Sequence, residues 1–261
     1  MIDRGAAPRW PGRTALTLAA ALAAASLFPA FASALGESSL FDARTVDYAG
    51  GHPSPRPTAP RRLAWEVRKR TSVDTRLEPS HARLDDPAIF DTPFLYWSGD
   101  AAFDALSDAE VRGLRRFLEF GGFVLVDDAA PEQDGFDASI RRELARAMPS
   151  APLGSVPDDH TLYRSFYLLS RPEGRVRGPD HLEGIVLGDR LALVYSRHDL
   201  GGAWARDNLG AWEQAVVPGG EAQRERAIRL GVNVVMYALC LDYKDDQVHA
   251  PFIMRRRGAR P

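Results

Sequence analysis

Residues 94–128 read FLYWSGDAAFDALSDAEVRGLRRFLEFGGFVLVDD, and this stretch decides the fold. The apolar run at 94–97 is typical of a buried strand. Ser107 and Glu110 then form the Ser-x-x-Glu pattern of a capping box, which predicts the start of a helix. The glycines at 121–122 end that helix, and a second apolar run follows at 123–126. Such a strand–helix–strand unit predicts two parallel strands in one sheet.

The rest of the chain continues this alternation. Further strands are predicted near 45–48 and 82–84, and a hairpin is predicted over 185–195 with its turn at Gly188 and Asp189. Further helices are predicted at 61–72, 138–148 and 221–241. The chain is therefore expected to be an α/β protein, with a mostly parallel sheet covered by helices on both faces.

The two ends of the chain have their own composition. Arg4, Arg9 and Arg13 precede an apolar run at 15–31, which ends in the small-x-small pattern Ala-Ser-Ala at 32–34. We therefore expect a signal peptide at 1–34, export to the periplasm or cell envelope, and no membrane span after cleavage; an uncleaved anchor is the alternative. A globular domain at 35–245 and a basic tail at 246–261 follow.

Composition excludes several classes of function. The chain has 261 residues, 45% hydrophobic and 26% charged, with a formal net charge of −2. This mild acidity argues against nucleic acid as a partner. Cys240 is the single cysteine and is expected to be a small buried apolar residue. Glycine-rich dinucleotide, Walker, nucleophile-elbow and His-Glu-x-x-His motifs are absent from the sequence.

Polar residues follow several of the predicted strands. Because the carboxyl ends of parallel strands meet at one edge, where ligands bind in open α/β sheets, we expect these residues to lie close together. Asp128 and His198 are the candidate catalytic residues, as proton acceptor or donor. The candidate ligand-binding residues are Asp47, Tyr48, Asp85, Asp86, Asp100, Asp127, His160, Arg197, Asp199 and Trp204.

Each of these residues also has a structural interpretation. An aspartate after a strand often caps the next helix or forms a turn. A histidine in a loop is often held by backbone groups. No cofactor is predicted, although clustered carboxylates could bind a divalent cation through their oxygens.

Three stretches, 47–51 (DYAGG), 83–96 (RLDDPAIFDTPFLY) and 118–128 (LEFGGFVLVDD), resemble the bacterial DUF4159 family. Stretches at 136–143, 160–167, 199–204 and 229–239 extend the resemblance over about 44–241. The resemblance implies a fold similar to class I glutamine amidotransferases, a flavodoxin-like three-layer sandwich. It also implies export or membrane attachment, and it implies no established activity.

Two departures from these relatives bear on function. Amidotransferases attack with a cysteine after a central strand, and here residues 127–130 read Asp-Asp-Ala-Ala. Glutaminase chemistry is therefore not expected. The family's Gly-His after the strand at 94–97 is replaced here by Gly99 and Asp100.

Three functions stay open at this point. The first is an envelope domain that binds a small ligand or a partner protein at the acidic carboxyl edge of the sheet. The second is an exported hydrolase in which Asp127, Asp128 and His198 activate water, with or without a divalent cation. The third is a scaffold subunit of an envelope complex.

Overall fold

The computed structural model describes residues 40–257, and side chains as far as residue 240. The strands are β1 (Arg44–Asp47), β2 (His81–Arg83), β3 (Phe94–Gly99), β4 (Phe123–Asp128), β5 (Gly154–Ser155), β6 (Glu183–Leu187) and β7 (Arg190–Ser196). The helices are α1 (Ala59–Arg70), α2 (Asp108–Glu119), α3 (Asp134–Ala147), α4 (Leu200–Trp204) and α5 (Gly220–Arg257). Short 3-10 helices lie at Pro87–Asp91 and Thr161–Arg164.

The strands form one sheet in the order β2-β1-β3-β4-β7-β6-β5. Neighbours from β2 to β7 pair in parallel, whereas β6 pairs antiparallel with both β7 and β5. The sheet is thus mixed, which corrects the expectation of a mostly parallel sheet. The predicted hairpin is the cause: it turns at Gly188, whose φ of +64° suits a tight turn, and so reverses the chain between β6 and β7.

Side chains alternate across the sheet and divide the core into two layers. Phe94 and Tyr96 face one cluster, which includes residues of α1, α4 and α5. Leu95 and Trp97 face the other cluster, which includes residues of α2 and α3. Because successive residues of a strand point to opposite faces, a strand buried on both faces must be apolar throughout. The result is the expected three-layer α/β sandwich.

Local sequence signals set the ends of several helices. Ser107 and Glu110 make the reciprocal bonds of the capping box that starts α2, as predicted. Pro60 lies in the first turn of α1, also as predicted. Helix α5 was expected to end near 241 and instead extends to Arg257.

Cys240 is exposed on α5, which corrects the expectation of a buried residue. Ala238 is the last fully packed residue of this helix among those whose side chains are described, so the core ends just before the cysteine. None of the described helices is both long and apolar enough to cross a bilayer. The predicted signal peptide at 1–34 lies outside the described residues.

Candidate functional site

The carboxyl ends of the five parallel strands lie at one edge of the sheet. In the strand register, Ser98 of β3 pairs with Asp127 of β4, which pairs in turn with Ser196 of β7. The residues after β7 therefore lie beside the two aspartates that end β4. Asp128 and His198 thus lie at the same edge of the sheet.

Asp127 points towards the face that α4 covers. It is fully buried, and its Oδ1 accepts the backbone N–H of Leu200 at 2.8 Å. Its Oδ2 accepts the N–H of Gly201 at 2.7 Å and the hydroxyl of Tyr96 at 2.8 Å. Burial, and then the charge of Asp199, raise the pKa of Asp127 to about 7. Asp127 thus anchors the first turn of α4.

Asp128 is the next residue and points to the opposite face. Its Oδ1 accepts the N–H of Ala130 at 3.0 Å, and its Oδ2 lies 3.4 Å from the hydroxyl of Tyr195. That hydroxyl also lies 2.9 Å from Asp137, and it has one proton for the two carboxylates. Burial raises the pKa of Asp128 to about 6, although the Ala130 N–H and Arg197 oppose the shift.

Asp199 is a buried acid held by two arginines. Arg56 donates to its carboxylate from Nε at 3.2 Å and from Nη2 at 2.9 Å, and Arg175 donates from Nε. The Oδ1 of Asp199 also accepts the N–H of Gly202 at 2.8 Å and so caps α4. Its φ of +50° lies in the left-handed region, which aspartate and asparagine tolerate better than most residues.

Arg197 lies among three carboxylates without a direct hydrogen bond to any of them. Its guanidinium is 3.8 Å from Asp128, 3.7 Å from Asp137 and 3.8 Å from the exposed Asp134. Nη2 donates to the carbonyl of Pro131 at 3.2 Å. The buried Nε–H has no hydrogen-bond partner among the described residues. That Nε nevertheless faces the carboxylates of Asp128 and Asp137, so Arg197 balances their charge without bonding to them.

His198 is enclosed rather than presented to solvent. Its Nε2 donates to the carbonyl of Pro179 at 2.8 Å, and its Nδ1 lies 3.2 Å from the hydroxyl of Ser196. Burial lowers the pKa of His198, which keeps the ring neutral. Because both ring nitrogens have partners within the protein, the ring is not placed to act on water beside Asp128.

A loop segment at 174–179 closes over His198. The N–H groups of Arg175 and Val176 donate to the carbonyls of Asp199 and His198, at 3.1 and 3.3 Å. Gly178 lies so close to His198 that an added Cβ would come within 2.9 Å of Nε2. Glycine therefore permits the contact that buries the histidine.

Two cavities lie on either side of this loop, and residues 176–179 line both. The larger has a volume of about 440 Å³ and is lined by Pro131, Glu132, Arg175, Val176, Arg177, Gly178, Pro179 and Arg197. Its lining thus contains three arginines and one acid. The other, of about 300 Å³, contacts His198, Glu173 and Arg226. Asp127 and Asp128 are fully buried and line neither cavity.

Some of the predicted site residues lie close to this edge without joining the arginine–aspartate network. The hydroxyl of Tyr48 donates to the carbonyl of Ser98 at 2.9 Å, so the tyrosine packs beneath the edge. Asp100 lies 3.1 Å from the exposed His52. Trp204 is a core residue that donates to the carbonyl of Ala227 at 3.0 Å, and it does not line the cavities above.

The remaining predicted residues make local pairs or cap short helices. Asp47 is exposed and pairs with His81 at 3.1 Å. Asp85 pairs with Arg83, and Asp86 caps the 3-10 helix at Pro87–Asp91. The Nδ1 of His160 accepts the N–H of Leu162 and caps the 3-10 helix at Thr161–Arg164.

Sequence reasoning missed Arg56, Arg175 and Arg177. All three lie in loops rich in proline or glycine, and no strand or helix pattern assigns them to the edge. Within the described residues, no three histidine, cysteine or acidic side chains are grouped closely enough to hold a metal ion. Asp127 and Asp199 instead use their oxygens on backbone amides, a tyrosine and two arginines.

Comparison with known proteins gives one family. The model described as "Domain of unknown function (DUF4159)" matches residues 43–239, which contain every strand and all the residues of the network above. No curated protein matches the chain.

Proposed function

The chain belongs to the DUF4159 family, and we propose that it is a binding domain that holds a small anionic ligand at the carboxyl edge of its sheet. The ligand would occupy the cavity of about 440 Å³ between residues 131–132 and the 174–179 loop. Arg177 and Arg197 would contact it directly, and Arg175 would contribute charge from the cavity wall.

The observation that carries this proposal is the state of Arg197. Its guanidinium is a quarter exposed in a cavity that Arg177 also lines, although its Nε faces the carboxylates of Asp128 and Asp137. An anion in the cavity would therefore meet the exposed part of the Arg197 guanidinium together with the side chain of Arg177. Guanidinium groups also match the geometry of carboxylates and phosphates.

The buried acids support binding rather than turnover. Asp127 and Asp199 each accept several hydrogen bonds within the protein. They are therefore suited to hold α4 and the arginines in place. The ligand-facing charge of this edge is then positive, not acidic as the sequence alone indicates.

A hydrolase is the second candidate, and one observation favours it. The pKa of Asp128 is raised to about 6, and such shifts are common in catalytic acids. In this version Asp128 transfers a proton to or from a ligand held by Arg197, without His198.

Titration calorimetry of the full chain with succinate, citrate, sulfate and glucose 6-phosphate tests both candidates. We expect saturable binding of at least one anion, weakened about tenfold to a hundredfold in Arg177→Gln or Arg197→Gln, as for a lost charged hydrogen bond. Arg112→Gln, which alters an exposed arginine on α2, is the control. Product formation that Asp128→Asn abolishes would favour the hydrolase. No binding of any of these anions would contradict the proposal and favour a scaffold role.

We further propose that the domain acts after export, in the periplasm or cell envelope. The arginines and apolar run of residues 1–34 support this part of the proposal. Mass spectrometry of the protein from its native cell envelope would show a new N-terminus near residue 35. Recovery of the full-length chain from the cytoplasm would contradict it.

A further inference from the structure

A second group of arginines surrounds two tryptophans at the start of α1. The guanidinium of Arg206 stacks on the ring of Trp212 at 3.6 Å, and that of Arg224 lies 4.2 Å from the same ring. Arg62 lies 3.9 Å from the ring of Trp65. Stacking on indole rings fixes the positions of these cations.

Most arginines of this group have a carboxylate partner, and the excess positive charge is that of Arg206. Glu78 lies 3.4 Å from Arg61, and Glu221 lies 2.9 Å from Arg224. Glu66 serves both Arg62 and Arg70, and Arg70 also pairs with Glu225 at 2.8 Å. Arg206 donates to the carbonyl of Gly210 at 3.2 Å and has no carboxylate partner among the described residues. The first turn of α1 contains no acidic residue.

Unused donors lie next to this excess charge. The Nε atoms of Arg62 and Arg206 are both buried and lack a hydrogen-bond partner among the described residues. Burial lowers the pKa of Arg62, and the charge of Arg206 lowers it further, although Glu66 opposes the shift. Arg62 and Arg206 therefore repel each other, and Glu66 offsets part of that repulsion at Arg62.

A cavity of about 250 Å³ opens between these residues, lined by Thr58, Arg61, Arg62, Trp65, Arg206, Asp207, Asn208 and Gly210. Asp207 is its one acid, and its Oδ1 already accepts the N–H groups of Leu209 and Ala211 at 2.9 and 2.8 Å. None of these residues lines the cavity at the carboxyl edge.

We propose that this cavity is a second anion site, which takes a phosphate-class oxyanion between Arg61, Arg62 and Arg206. A phosphate group offers at least three acceptor oxygens and up to two negative charges, whereas a carboxylate offers two oxygens and one charge. Three arginines around one cavity therefore favour phosphate. Trp65 and Thr58 complete the wall, and the Thr58 hydroxyl itself donates to Glu213 at 2.7 Å. The phosphate could come from free phosphate or from a phosphomonoester.

Titration calorimetry of the full chain with inorganic phosphate, at constant ionic strength, tests the site. We expect saturable binding that weakens at least tenfold in Arg206→Gln and in Arg61→Gln. Arg112→Gln is the control and should stay within twofold of the unaltered protein. Tighter binding of glycerol phosphate would identify a phosphomonoester as the ligand, and tighter binding of inorganic phosphate would identify the free ion; either supports the site.

Other results would overturn the inference. These are the absence of saturation, equal losses in Arg206→Gln and Arg112→Gln, or acetate binding as tight as phosphate. If phosphate binding weakened in Arg197→Gln alone, phosphate would bind at the carboxyl edge. That result would refute this site and support the proposed function. Should Arg206→Gln fail to fold, the exposed Arg61 decides the question, because its substitution disturbs no core contact.

Discussion

Replacing Asp199 by asparagine would remove one negative charge from the carboxyl edge of the sheet and change little else. Asparagine tolerates the left-handed φ of +50° that this position requires. Its amide oxygen can still accept the N–H of Gly202, so the cap of α4 is kept. What is lost is the carboxylate that Arg56 and Arg175 share.

The expected cost follows from the burial of the three groups. Breaking a buried ion pair by removing one partner costs about 3–5 kcal/mol. Asp199 is fully buried, but both arginine side chains are 17% exposed, so water replaces part of the lost interaction. We therefore expect Asp199→Asn to lower the free energy of unfolding by about 2–4 kcal/mol. Asp199→Ala should cost about 2 kcal/mol more, since it also removes the cap and strains the backbone.

Urea denaturation of the full chain at neutral pH, followed by circular dichroism, measures both variants. Asp134→Asn is the matched control, because Asp134 is 95% exposed and faces Arg197 of the same network at 3.8 Å. An exposed pair of this kind is worth about 0–1 kcal/mol. The reasoning would be refuted if Asp199→Asn were no more destabilising than Asp134→Asn, or as destabilising as Asp199→Ala.

Three further predictions concern other parts of the chain. Stability should fall as pH rises from about 4 to 7, by up to ~1.4 kcal/mol per pH unit, because folding raises the pKa of Asp127 from 3.8 to about 7. The lowered pKa of His198 should act in the other direction, since it removes stability as pH falls below about 6.5. Unfolding free energies at pH 5 to 8 should thus show a weaker decline in Asp127→Asn, and an unchanged profile would contradict the burial argument. Gly113→Ala should destabilise by about 2 kcal/mol despite the better helix propensity of alanine, because its Cβ would overlap the carbonyl oxygen of Leu84. Thermal melts measure this loss of stability, and Gly154→Ala is the control, because nothing lies within 4 Å of its new Cβ. Equal changes of melting temperature in the two variants would rule out the overlap. Cys240 should react with a thiol reagent as fast in the native protein as in urea, because it is exposed; protection in the native state would contradict that placement.

Much of the fold was predictable because its signals are local. The capping box at Ser107 and Glu110 fixes the start of α2, and apolar runs identify β3 and β4 as strands buried on both faces. The mixed character of the sheet was predictable only in part. The hairpin of β6 and β7 was predicted, but its position at one side of the parallel strands depends on pairing between distant residues.

The candidate site was predictable to a smaller extent. Strand alternation sends Asp127 and Asp128 to opposite faces, which explains why one anchors α4 and the other approaches Tyr195 and Arg197. The alternation of side chains along β4 is enough to predict this difference between the two aspartates. The arginines that neutralise the edge come from positions 56 and 175, which loops without periodic signals bring to Asp199.

The α/β class, the limits of the central strands and the edge with the polar residues follow from the order of residues along the chain. Apolar periodicity and capping depend on residues that are close in sequence, so the sequence is enough to recognise them. The enclosure of His198, the pairing of the acids and the arginine lining of the cavities depend on the folded chain. Burial and charge pairing depend on which distant side chains come into contact, and folding alone sets those contacts.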